Sequence, residues 1–157
     1  MIFPIRDSGQ RLIFAEPVLD HFARHRQTRF WQREAGGQLF ARFSLPDIIV
    51  VEATGPRRTD RRTRHSYHPD RGAEQREIAT RHARGLHFIG DWHTHPEDAP
   101  TPSTRDEQSM RETFAASRHV LNGFVLAIVG RLALQQSLGL WIYGGDARLQ
   151  LRPTMAN

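Results

Sequence analysis

The stretch that most restricts how this chain can fold runs from Leu86 to Asp106. Leu86-His87-Phe88-Ile89-Gly90 is a short apolar segment of strand character, and Asp91-Trp92-His93-Thr94-His95-Pro96 follows it without a break. Pro100 and Pro102 then interrupt any regular ladder, so the chain must loop. Ser103 opens a helical pattern as an N-cap, with Asp106 at the third helical position. A strand end thus presents two imidazoles, a stiff loop follows, and a helix start returns a carboxylate. His93, His95 and Asp106 so arranged can hold a zinc ion and leave a fourth position open for water. Helix capping alone would account for Ser103 and Asp106, since a cap serine and an early aspartate both complement the helix dipole. It leaves His93-Thr94-His95-Pro96 unexplained.

The remaining chain supplies a frame for that stretch. Met1 to Ile5 and Arg11 to Phe14, divided by Asp7-Ser8-Gly9-Gln10, predict strand, turn and strand. Pro17 starts a helix through about Arg26, with Val18, Leu19, Phe22 and Ala23 on one face. His21 and His25 lie four apart on it, a metal-compatible spacing, but without a third ligand nearby they read as exposed helix residues. Gln38 to Phe43 and the β-branched Asp47 to Thr54 predict an antiparallel pair joined at Leu45-Pro46-Asp47. Gly36-Gly37 ahead of them would let another backbone, or a substrate, approach closely. Gly55 to Arg64, with five arginines around Asp60, reads as a solvated loop. Asp70 caps a polar helix ending at Gly85 whose thin apolar face is Ala73, Ile78, Ala79 and Ala83. Ser103 to about Arg118 is the third helix. Strands at Gly123 to Val129, Leu138 to Tyr143 and Leu149 to Leu151 follow, the last two joined by Gly144-Gly145-Asp146, and Pro153 to Asn157 reads as a frayed end. The fold class expected is α/β (α+β): a mixed, largely antiparallel sheet flanked by two or three helices, in one domain spanning 1–157.

Composition narrows the chemistry further. The chain has no cysteine, which excludes disulfides, thiolate catalysis and cysteine-based zinc sites. Its 22 basic residues against 17 acidic ones give a net charge of +5, and every basic residue is arginine. A chain without lysine offers only its N-terminus to amine-directed conjugation. Arginine-rich codon usage explains this blandly; protection beside a lysine-conjugating machine explains it functionally. The arginine run near Asp60 has no interleaved aromatic residues to stack bases, so direct nucleic-acid binding is not expected. The N-terminus lacks the pattern of a signal peptide and Phe124 to Val129 is too short to span a bilayer, so a cytoplasmic protein with no membrane partner is the expectation.

Glu34 ahead of Gly36-Gly37, His93 and His95 before Pro96, then Ser103 and Asp106 together resemble the signature of the JAMM (JAB, or MPN-plus) metalloproteases, over roughly residues 34–129. The resemblance implies the JAMM/MPN fold, itself similar to that of cytidine deaminase. It implies one Zn2+ per chain, held by His93, His95 and Asp106. Glu34 would act as general base and then proton donor, and the Ser103 hydroxyl would donate to the oxyanion. The family hydrolyses bonds after the C-terminal tails of ubiquitin-like proteins. Such a tail would add as a strand beside Gly36-Gly37.

The short, lysine-free chain with Gly-x-Trp-His-Thr-His-Pro looks most like the bacterial isopeptidases of CBASS antiphage and related ubiquitin-like operons. The substrate implied is a ubiquitin-like protein, or a cGAS-like nucleotidyltransferase conjugated through its C-terminus. Processing of a sulfur-carrier-type ubiquitin-like protein is one alternative within the fold, and a DNA-repair-associated branch with a Pro-Thr-Pro-Ser loop is another. A non-catalytic, metal-stabilised interaction module is the alternative from a different class.

Overall fold

The apolar runs of the sequence pair into one eight-stranded sheet, seen in a computed structural model that describes residues 1–145 and 147–154. In chain order the elements are β1 (Ile2–Ile5), β2 (Gln10–Phe14), α1 (Glu16–His25), β3 (Gly36–Ser44), β4 (Asp47–Ala53), β5 (Arg61–Arg62), β6 (Tyr67–His68) and α2 (Arg71–His82). Then come β7 (His87–Thr94), α3 (Thr104–Ala116), β8 (Phe124–Val129), α4 (Leu134–Ser137), β9 (Leu138–Gly144) and β10 (Ala147–Leu151). The sheet order is β1-β2-β4-β3-β7-β8-β9-β10, with β5 and β6 forming a separate two-stranded ribbon. β2–β4 and β7–β8 are parallel; the other five pairs are antiparallel. The expected mixed sheet is therefore present, with the one-turn α4 and the β5–β6 ribbon as additions. The turn at Asp146 and the end at 155–157 lie outside the described residues.

One face of the sheet packs against α1 through Phe3, Leu12, Phe14, Val18, Phe22, Leu39, Val50 and Trp92. The other carries α2 and α3, with Met110 of α3 set on Phe124, Leu126, Ile128, Trp141 and Tyr143. A register shift between Leu39 and Phe40 against β7 places the extra residue, Ile89, beside Gly90, whose φ is +147°. A Cβ on Gly90 would lie 1.9 Å from the Val125 carbonyl oxygen, so only glycine fits. The bulge resets the alternation. Ile89 and Trp92, three apart, both enter the α1 core, and His93 is turned to the opposite face with Asp91.

Candidate metal centre and catalytic cleft

β7 ends at Thr94, so His93 is its penultimate residue and His95 the first beyond it. Two residues apart on extended backbone, their rings fall on the same side. His93 Nε2 and His95 Nε2 lie 3.0 Å apart, and the Asp106 carboxylate reaches them at 3.3 Å (Oδ1 to His93) and 3.4 Å (Oδ2 to His95). Donor atoms around a tetrahedral zinc with bonds near ~2.1 Å stand roughly 3.3 Å apart, so the three groups have the spacing such an ion requires. Two facing imidazole nitrogens and a carboxylate, with His93 and His95 both buried, make a donor set suited to a cation. His95 Nδ1 is buried without a hydrogen-bond partner; the nearest carboxylate oxygen, on Glu97, is 3.9 Å away.

Asp106 is supplied by the first turn of α3. Ser103 caps that helix: its hydroxyl accepts from the Asp106 N–H at 3.2 Å, and the Asp106 Oδ2 accepts from the Ser103 N–H and hydroxyl, both at 2.8 Å. The cap and the metal-type cluster thus share one carboxylate. Burial pushes the Asp106 carboxyl up, but hydrogen bonds and charge from His93 and His95, with the Ser103 backbone, hold it well below the usual range. Burial alone would lower His95; its hydrogen bond to Asp106 and the charges of Asp106 and Glu34 carry it above its ordinary value.

Glu34 sits just before β3, where Gly36 pairs with His93 across to β7. It is 6 % exposed and lines the same cavity of about 280 Å³ as His93, His95, Ser103 and Asp106. Burial, above all, pushes its carboxyl up to about 7; His95 opposes this while Asp106 and Glu97 add to it. A carboxyl poised near neutrality beside a cation site is suited to accept a proton and return it. The five residues singled out in the sequence are therefore gathered at one cleft.

Other expectations needed correction. Gly36 and Gly37 do not offer a free edge to a substrate strand. A Cβ on Gly37 would meet the Thr54 carbonyl oxygen at 1.8 Å, and one on Gly36 the Tyr67 ring at 2.7 Å. The approaching backbone is the protein's own. His21 and His25 are not exposed: both are half-buried with their rings 5.2 and 5.6 Å from Trp92, and His21 donates through Nε2 to Gly55 O at 2.8 Å. The arginine run is not wholly solvated either. Arg57, 10 % exposed, pairs with Glu77 and lies 3.8 and 3.9 Å from Asp60 and Glu74, while Arg61–Arg62 form β5. α2 uses only part of its expected apolar face: Ala73 and Ile78 are half-buried. Ala79 and Ala83 are exposed, and Glu74 is its buried residue.

Sequence reasoning missed Gln27 and Thr94. Gln27 is 1 % exposed and its Oε1 accepts from Thr94 Oγ1 at 2.9 Å, while the Ala35 N–H donates to the same hydroxyl at 2.9 Å. Thr94, between the two histidines, thereby fastens β7 to the segment carrying Glu34. A buried glutamine after a helix has no local signature.

Comparison with known proteins gives consistent matches. Residues 15–142 match the family model described as prokaryotic homologs of the JAB domain. A CD-NTase/cGAS isopeptidase of Pseudomonas aeruginosa is 32 % identical over 131 residues, covering 82 % of each chain. A probable metalloprotease of Sinorhizobium fredii is 36 % identical over 90 residues, 54 % of each. A solution structure of protein DSY2949 from Desulfitobacterium hafniense aligns over 92 % of both chains at TM-score 0.65 and 16 % identity, a likeness of fold.

Proposed function

The chain belongs to the family of prokaryotic JAB-domain homologues, and from that membership we propose that it is a zinc-dependent deconjugating isopeptidase. Its substrate would be a cGAS-like nucleotidyltransferase or a ubiquitin-like protein joined through its C-terminus to an amine, and a single catalytic domain spanning 1–157 would carry the activity. The relatives named CD-NTase/cGAS isopeptidase support the substrate class. The observation that carries the chemistry is the convergence of His93, His95 and Asp106 on donor separations of 3.0 to 3.4 Å, with Glu34 on the same cavity.

His93, His95 and Asp106 would hold the ion. Bound there, zinc supplies Lewis acidity, lowering the pKa of a water towards ~7 and polarising the scissile carbonyl. Glu34 takes the proton of the attacking water and delivers it to the departing amine. Its burial keeps the protonated form accessible near neutral pH, which the second transfer needs. Ser103 holds Asp106 through its N–H and hydroxyl; the hydroxyl, turned from Asp106 Oδ2, donates to the developing oxyanion.

The test joins metal analysis to cleavage. One zinc per chain by elemental mass spectrometry, lost in a folded His95→Ala variant, is expected. Glu34→Gln should retain zinc and lose release of a nucleotidyltransferase linked through its C-terminus to a target amine. Zinc-free protein after zinc is added back, or undiminished cleavage by Glu34→Gln, would overturn the assignment.

A further inference from the structure

We propose that the loop bearing Phe30 and Trp31, with the arginines around it, docks an acidic and apolar segment of the substrate protein. This deepens the isopeptidase assignment and rests on it. Phe30 is 76 % and Trp31 61 % exposed, in edge-on contact at 5.0 Å, and the Arg29 guanidinium lies 5.3 Å over the Trp31 ring. Large aromatic residues with a stacked arginine are the side chains that anchor protein interfaces.

The loop is held in place. Gln27 Nε2 donates to the carbonyls of Gln32 at 3.2 Å and Arg64 at 2.9 Å. Arg64 Nη1 donates to the carbonyl of Arg29 at 3.1 Å and to that of Phe30. Gln32 Oε1 accepts from the Arg29 N–H at 2.8 Å. The two rings are therefore presented by a pre-ordered backbone, which lowers the entropy cost of binding.

Position ties this surface to the cleft. Glu34, three residues after Trp31, donates its N–H to Thr63 O at 2.7 Å, and Arg62 donates to Glu34 O at 3.2 Å. Gln27, at the root of the loop, accepts from Thr94 between the two ligand histidines. Charge then selects the partner. Arg29, Arg33, Arg61, Arg62 and Arg64 have no carboxylate within 4.0 Å among the described residues, whereas Arg57, Arg81 and Arg84 are all paired. Between His21 and Pro46 the sole acidic residue is Glu34, which is buried. Between Ala53 and Ser66 it is Asp60, whose carboxylate is buried and accepts from Arg57 N, Asp70 N and the Tyr67 hydroxyl. These two segments thus present cations and aromatic rings and no exposed carboxylate of their own, complementary to acidic and apolar side chains.

Trp31 is its own reporter, since Trp92 and Trp141 are 0 % and 3 % exposed. The full chain would be titrated with a 12-residue peptide alternating glutamate with leucine and phenylalanine, with the same peptide carrying arginine for glutamate, and with a twelve-nucleotide oligothymidylate. The acidic peptide should shift Trp31 emission to the blue, protect it from iodide, and bind at least about tenfold more tightly than the basic one. The double variant Arg29→Glu, Arg33→Glu should lose that preference at unchanged zinc content and far-ultraviolet circular dichroism. A response to the oligothymidylate in preference to the acidic peptide would overturn the proposal in favour of single-stranded nucleic acid. No response to any probe would overturn it outright. Docking without cleavage would sink the isopeptidase assignment alone; cleavage that needs Glu34, without docking, would sink this surface alone.

Discussion

Helices α1 and α2 lie on opposite faces of the same sheet and are attached by opposite chemistry. α1 inserts Val18 and Phe22, with the Phe22 ring 5.9 Å from Phe14 and 5.1 Å from Trp92. α2 buries Glu74 and is tied down by ion pairs: Glu77 to Arg57, Arg81 to Glu52 at 2.8 Å, with Arg81 also 4.9 Å over the Phe40 ring. Asp91, beneath it, has its carboxyl pushed up to about 7 by burial and by Glu74. The apolar face supplies stability and the polar one holds charged groups at fixed places, and the cleft opens on the polar side. The contrast shows that a helix docked by burial is legible from its own periodicity, while one docked by pairing depends on residues distant in the chain.

Removing the anchor of α1 should give the largest effect. Phe22→Ala is expected to cost about 3–5 kcal/mol, measured as a lower denaturant midpoint. A loss under about 1 kcal/mol would mean that α1 is not held by burial. Arg57→Met leaves Glu77 and its acidic neighbours without their guanidinium and should cost about 3 kcal/mol. Adding Glu77→Gln should cost less than the sum of the two single losses, and strict additivity would break the idea that α2 is fastened by pairing. Ser103→Ala removes the α3 cap and should cost about 1 kcal/mol by the same assay.

The remaining effect depends on pH. Glu34 has its carboxyl raised from 4.5 to about 7 in the folded metal-free protein. Below the lower value it is neutral folded and unfolded; through the higher value the folded protein must charge a buried group, so stability tied to the neutral form is lost as pH rises. Glu34→Gln should therefore match the wild type in thermal midpoint at pH 4 and exceed it at pH 8 without metal. A gain confined to acidic pH would contradict burial as the cause.

The grouping of His93, His95 and Asp106 was legible in the chain because its pieces are local. His93 and His95 share a side of one strand, Pro100 and Pro102 enforce the loop, and Ser103 places Asp106 in a first helical turn. α1 was equally plain, since Val18 and Phe22 recur at helical spacing. Glu34 was marked out of eight glutamates only by Gly36-Gly37 just after it, a pairing that carries meaning through the family resemblance.

Tertiary structure decided the rest. The bulge at Ile89 and Gly90 sets which face receives His93, and it depends on strands β3 and β8. The Thr54-Gly55 backbone and the Tyr67 ring, not a substrate, occupy the space that Gly36 and Gly37 leave. Arg64 holds the carbonyls of Arg29 and Phe30, the latter from 34 residues away. Backbone propensity, alternation and capping act between neighbours along the chain and can be read there. Side-chain pairing between segments far apart in sequence depends on which strands meet and in which register, and that is settled only when the whole sheet closes over its core.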